Sequence, residues 1–136
     1  MEKVFQGVRW VSPVQLYVSQ LYISRTKLQS VQAWLSPATL QECPPLPVHD
    51  FGGGVFTLTD GHTRALALLM QTQLCPICYD ADEAVSKPDG RAAYLMAISW
   101  CRAAGICTVW DLRERVVEEE QYKRLWLDRC KQAFTG

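Results

Sequence analysis

Apolar residues change their spacing several times along this chain, and each change marks a boundary between elements. Val55 to Thr59 alternates apolar and polar side chains, as a half-buried strand does. Asp60-Gly61 interrupts it. Ala65, Leu68, Leu69 and Thr72 then fall at the i, i+3, i+4, i+7 spacing of one helix face. This stretch predicts a strand, a tight turn and a helix N-terminus in immediate succession. Upstream, Val14 to Ile23 is rich in β formers and predicts a strand feeding a first helix. Ser24 is the expected N-cap of that helix, with Leu28, Val31 and Leu35 on its apolar face. Ser36-Pro37 ends it, since a residue before proline resists the helical conformation, and Ser36 is placed to cap another helical turn. Pro44-Pro45-Leu46-Pro47 forces an extended entry into Val48 to Phe51, and Gly52-Gly53-Gly54 reads as a hairpin turn returning into Val55 to Thr59. Met1 to Pro13, with Val4, Val8, Trp10 and Val11, fits either a strand or an arm packed on the body.

Beyond this region, Cys75 to Tyr79 is a short apolar run expected to rejoin the sheet. Ala92 to Ala104 predicts a helix with Tyr94, Ile98 and Cys101 on one face and Gly105 as its stop. Thr108 to Asp111 resembles a capping box, starting a helix that runs to about Val117. Glu118-Glu119-Glu120 favours the N-terminus of a last helix, with Tyr122, Leu125, Trp126 and Arg129 sharing a face. The pattern describes a single α+β domain over 1–136, with a core at about 14–80 and a C-terminal helical cap at about 88–133.

Length and composition narrow the function. A chain of 136 residues is long enough to bury a core without disulfide or metal staples. Lys plus Arg equals Asp plus Glu at 14 each, so the basic excess that collects nucleic-acid phosphates is missing overall. DNA as a partner is therefore not favoured by charge. The longest apolar stretch, Ala65 to Met70, is too short to span a bilayer, and Met1 to Trp10 lacks an apolar signal core, so the cytoplasm is the expected location. Six scattered cysteines include one C-x-x-C, Cys75 to Cys78, but it follows a helix and lacks a second close pair. Reduced, mostly buried thiols are expected.

Candidate chemistry centres on the turn at 60–64. A strand-to-helix junction offers free backbone N–H groups and the positive end of a helix dipole, a ready site for an anion. Gly61 has no Cβ and lets a ligand approach the backbone. His62 and Arg64 add donors, and the Arg fork matches paired phosphate oxygens. The alternative is that Asp60 merely caps the helix while His62 and Arg64 sit in solvent. Lys27 or Arg25, opening the first helix, are placed either to close a pocket or to remain solvated. His49 is read as a pocket or strand-surface residue. Asp80, Asp82, Glu83 and Asp89 suggest either a Mg²⁺ site or a solvated loop. Two helices joined through Gly105 imitate a helix-turn-helix, but Asp111 and Glu114 accompany Arg113 and Arg115 in the second.

Asp-Gly-His-Thr-Arg-Ala at 60–65 resembles the turn of the ParB/sulfiredoxin superfamily, where a strand runs into a helix through Gly-x-x-Arg. Leu21-Tyr22-Ile23-Ser24, Pro44 to Val48, and the tail with Trp100 to Ile106 and Leu125-Trp126 follow in the order of short stand-alone bacterial members. The resemblance spans about 17–132, and its specific part is the six residues at 60–65. It implies a small mixed sheet with packed helices and a C-terminal helical extension. It also implies a phosphate site at Gly61, His62, Thr63 and Arg64 for a nucleotide such as ATP, ADP or CTP. Asp60 and His62 are the implied catalytic pair if the chain is a phosphotransferase or nucleotide hydrolase, with Mg²⁺ held by Asp60 to offset its repulsion from phosphate. Sulfinic acid reduction is not implied, because that chemistry needs a cysteine in the slot filled by His62. A non-catalytic module binding DNA, nucleotide or protein is the other reading. Nuclease activity, also attached to the family, needs carboxylates beside a basic groove, and neither is evident.

Overall fold

Residues 7–79 and 82–134 are described by the computed structural model of the chain. A mixed sheet holds β1 (Val8–Val11), β3 (Leu46–His49), β4 (Thr57–Leu58) and β5 (Cys75–Tyr79) in the order β1-β5-β3-β4. The strand β3 lies parallel to β5, while β1 with β5 and β3 with β4 are antiparallel. A second pair, β2 (Ile23–Ser24) with β6 (Val116–Val117), is parallel. The helices are α1 (Arg25–Trp34), α2 (His62–Met70), α3 (Pro88–Ala103), α4 (Glu119–Tyr122) and α5 (Asp128–Phe134), the last two joined by a π-helical turn at Lys123–Leu127. The fold is α+β, and among the described residues no helix is long and apolar enough to cross a membrane.

The apolar run of β5 reflects its place: Cys75, Pro76 and Ile77 are all buried between β1 and β3. The helix α2 is buried at four consecutive positions, Ala65 to Leu68, because it packs against both α1 and the 3-10 helix Val109–Glu114. Leu16, Leu46, Leu58 and Leu112 complete this fully buried centre.

Several expectations need correction. Val14 to Ile23 is not one strand. Pro13–Gln15 is a 3-10 turn, and the ladder proper is only Ile23–Ser24. Between them Tyr17 bridges to Thr57 on one side and Thr108 on the other, so the segment is extended but meets each neighbour at a single pair. The helical turn after α1 is a 3-10 helix at Leu40–Glu42, and it is the Thr39 hydroxyl, not Ser36, that closes the bend, accepting from the Ser36 amide at 2.9 Å. The helix expected to run to Val117 is a 3-10 helix stopping at Glu114, although its Thr108–Asp111 capping box is present. Val116–Val117 leave it to pair with β2, so 88–133 is not wholly helical. The helix α3 begins at Pro88, four residues before the expected start, using the proline as its first residue. Val4 and Asp80 lie outside the described residues.

Helix ends show one local conflict. Gly105 follows α3 at φ 76°, with the Ile106 amide donating to the Cys101 carbonyl, the usual glycine-terminated stop. After α2 the same pattern recurs with Thr72 in the glycine position at φ 57° and the Gln73 amide donating to the Leu68 carbonyl. Thr72 is thus past the helix rather than on its apolar face. A β-branched residue in the left-handed region is strained by about 1–2 kcal/mol. Thr72→Gly is expected to raise unfolding stability by about 1 kcal/mol in urea melts; an unchanged or lower stability would contradict the strain.

Candidate functional site

Thr59 leaves β4 with both its amide and its hydroxyl donating to the Pro47 carbonyl, which fixes the chain entering the turn. Gly61 then takes φ 80° as the N-cap of α2. A Cβ there would lie 2.6 Å from Leu46 Cδ2, so the missing side chain makes room for the core of β3. The close approach that sequence reserved for a ligand is used by Leu46 instead. Asp60 does not cap the helix. Its Oδ1 accepts from the Gly61 amide at 2.8 Å, and the first turn of α2 has no capping side chain.

His62 sits inside the wall, 3% exposed, rather than in front of the bend. Its Nε2 accepts the Ser19 amide at 3.0 Å, which puts the ring proton on Nδ1. Burial pushes its pKa down to about 4, with the charge of Asp60 opposing the shift. The imidazole is therefore neutral at pH 7, and Nδ1 has no hydrogen-bond partner among the described residues. Arg64 is half-buried and donates from Nη1 to the Pro44 carbonyl at 3.2 Å. Burial raises the Cys43 thiol, and the neighbouring Arg64 only partly offsets this.

In front of the turn lies a cavity of about 410 Å³, lined by Asp60, Gly61, His62, Thr63 and Arg64. The first turns of α1 contribute Thr26, Lys27 and Ser30 to the same space, so the N-termini of two helices frame one cavity. Ser24 sets α1 there: its hydroxyl oxygen accepts the Lys27 amide and donates to the Glu119 carboxylate. Lys27 Nζ sits 5.0 Å from the Tyr122 ring centroid, and Gln20 donates to the Tyr122 hydroxyl at 3.2 Å. Arg25 turns away to pair with Glu118 at 2.6 Å, an exposed contact of little energetic weight. Lys27 and Arg64 give the cavity two cations against one lining carboxylate, Asp60. Tyr122 and Gln20 were missed from sequence: the two lie 102 residues apart, and only the fold joins them.

The remaining candidates do not converge on this space. His49 Nε2 lies 3.1 Å from Arg91 Nη1, and its ring stacks on Tyr79. Asp82 accepts from the Ala84 amide and the Tyr94 hydroxyl; burial works against its charge, but these bonds and Thr59 hold its carboxyl below the usual range. Among the described residues, no three His, Cys, Asp or Glu side chains group to hold a metal. Cys75 and Cys78, three apart on a strand, point to opposite faces, and burial pushes Cys75 up to about 12, with Cys43 adding to the rise. Cys43, Cys75 and Cys101 are buried, Cys78 and Cys130 partly so, and Cys107 is exposed.

Two outcomes follow. Gly61→Ala combines left-handed strain with a clash against Leu46 and is expected to cost roughly 2–3 kcal/mol in urea unfolding; a cost within about 0.5 kcal/mol would mean the turn is not held as described. His62 takes its proton at about 4 when folded against 6.5 when unfolded, so the unfolded state binds more protons between these values. Stability contributed by the neutral ring is complete above 6.5 and lost as pH falls toward 4, by roughly 3 kcal/mol. An NMR titration of the chain's two histidines checks this; a His62 midpoint near 6.5 would contradict its burial. Compared with protein families, curated proteins and solved structures, the chain matches none.

Proposed function

We propose that this cavity binds a phosphate group, carried by a nucleotide or a phosphorylated small molecule, in a domain of ParB/sulfiredoxin type. The supporting observation is the meeting of two helix N-termini, α1 and α2, on one cavity that also holds Lys27 and Arg64. Uncapped first-turn amides of α2 supply directional donors, and the dipoles of both helices favour negative charge. Thr26, Ser30 and Thr63 add hydroxyls. Arg64 donates to the Pro44 carbonyl, and a phosphate would compete with that neutral oxygen for its charge.

Among the described residues, Asp60 is the only carboxylate lining the cavity. Asp60 would be the residue to hold a Mg²⁺ ion brought in with the ligand, and such an ion would offset the carboxylate's repulsion from phosphate. In a catalytic version Asp60 would orient or deprotonate the attacking group. His62 serves as a neutral positioning residue there, because its Nε2 is engaged with Ser19. A non-catalytic sensor would use the same donors without the Asp60 chemistry.

Thermal-shift titration with inorganic pyrophosphate, ATP, ADP, CTP and GTP, each with and without Mg²⁺, is expected to show stabilisation of about 2–3 kcal/mol near a hundredfold excess over Kd. Arg64→Ala and Lys27→Ala should each weaken pyrophosphate binding by about tenfold or more. Retention of full affinity in Arg64→Ala would remove this cavity from the reading. Binding to duplex DNA that falls steeply with salt, without any response to nucleotides, would replace it with the DNA-binding alternative.

A further inference from the structure

Lys27 is the cation that α1 brings to the phosphate cavity. Two carboxylates of the C-terminal segment, Glu118 and Glu119, reach the start of the same helix. Each is already engaged: Arg25 Nε donates to Glu118 at 2.6 Å, and the Ser24 hydroxyl donates to Glu119. Among the described residues Lys27 makes no ion pair. Its Nζ lies over the Tyr122 ring instead, 5.0 Å from the centroid. That ring is fixed by contacts that do not involve Lys27. Tyr122 is buried, and its hydroxyl accepts from Gln20 Nε2 at 3.2 Å. The chain leading to it is tied to the start of α1 by the pairing of β6 with β2. Tyr122 also lines the cavity itself, beside Lys27.

We infer that Tyr122 is a positioning residue of the anion site, whose ring face holds the Lys27 ammonium at the cavity without neutralising it. A carboxylate partner would cancel the charge and occupy N–H donors. A ring attracts the cation through its quadrupole and leaves the three donors of the ammonium for phosphate oxygens. A long side chain already held beside the ligand position binds more tightly than one that must first be ordered. Arg25 and Ser24 act in the same direction, because they keep Glu118 and Glu119 from capturing Lys27. The C-terminal segment, remote in sequence from the turn at 60–64, thereby becomes part of the site. The inference rests on the phosphate reading for its ligand, whereas the contact of ring and ammonium stands without it.

Isothermal titration of the full chain with inorganic pyrophosphate tests the role. Tyr122→Leu removes the ring face and is expected to weaken binding by about threefold to tenfold, the effect of freeing one long side chain. Tyr122→Phe restores the ring and should recover that loss. In a Lys27→Ala background, Tyr122→Leu should change the affinity by less than about twofold, because the ring then has no ammonium to hold. In the unaltered, unliganded protein, the Lys27 Cε protons should lie upfield of ordinary lysine positions in ¹H–¹³C spectra, shielded by the ring. That signature is readable even if Tyr122→Leu fails to fold. Full affinity in Tyr122→Leu, an equal loss in both backgrounds, or unshifted Lys27 protons would overturn the positioning role, and the phosphate reading would stand on the loss in Arg64→Ala. Absence of pyrophosphate binding in the unaltered protein would remove the phosphate reading itself, and this role with it.

Discussion

The bond from the Ser19 amide to His62 Nε2 ties together the two halves of the candidate site. Ser19 belongs to the extended segment that leads into β2 and α1, while His62 opens α2. The same serine donates its hydroxyl to the Leu58 carbonyl, so the segment is fastened both before and after the turn at Gly61. Because both bonds are buried, breaking either leaves polar atoms without water to replace the partner. The first turns of α1 and α2 are thereby held against one cavity, and a long-range constraint becomes a local arrangement of donors. The neutrality of His62 belongs to the same arrangement: a protonated ring would have no lone pair for Ser19.

Charge in the cavity is balanced differently from charge in the chain. The sequence as a whole has equal numbers of acidic and basic residues, but the fold directs Arg25 outward to Glu118 and leaves Lys27 and Arg64 beside the cavity. Asp60 opposes them from the rim. Its oxygen is engaged by the Gly61 amide, which keeps the carboxylate beside the turn rather than inside the helix's first turn. Net charge is thus a poor guide to this cavity, since the charge facing it is set by Lys27, Arg64, Asp60 and the ends of two helices.

The sequence made the local features legible where one residue type had one physical role. Ser24 as a cap, Gly105 as a stop, the Thr108–Asp111 box and the hairpin at Gly52 to Gly54 all depend on neighbours within a few positions. The order of strand, turn and helix at 55–70 was legible for the same reason, although only Thr57–Leu58 pair as strand and Thr57, Leu58 and Thr59 are all buried in place of the expected alternation. Its interior was not. The periodicity that marks α2 cannot say that Leu46 fills the space beside Gly61, or that His62 turns inward to Ser19, because both depend on partners 15 and 43 residues away. The extended run at 14–23 read as a strand by composition, but ladder length depends on how long its neighbours stay alongside, which no residue in it encodes. Val116–Val117 likewise look like the tail of a helix until β2 is there to pair with them.

The central claim is that two helix ends and two cations enclose a position for a phosphate, and a crystal grown with inorganic pyrophosphate addresses it most directly. The account predicts anion density against the first-turn amides of α2, with the Arg64 guanidinium moved from the Pro44 carbonyl onto the anion. An Arg64 side chain still bonded to Pro44, beside a cavity holding only solvent at saturating pyrophosphate, would contradict it.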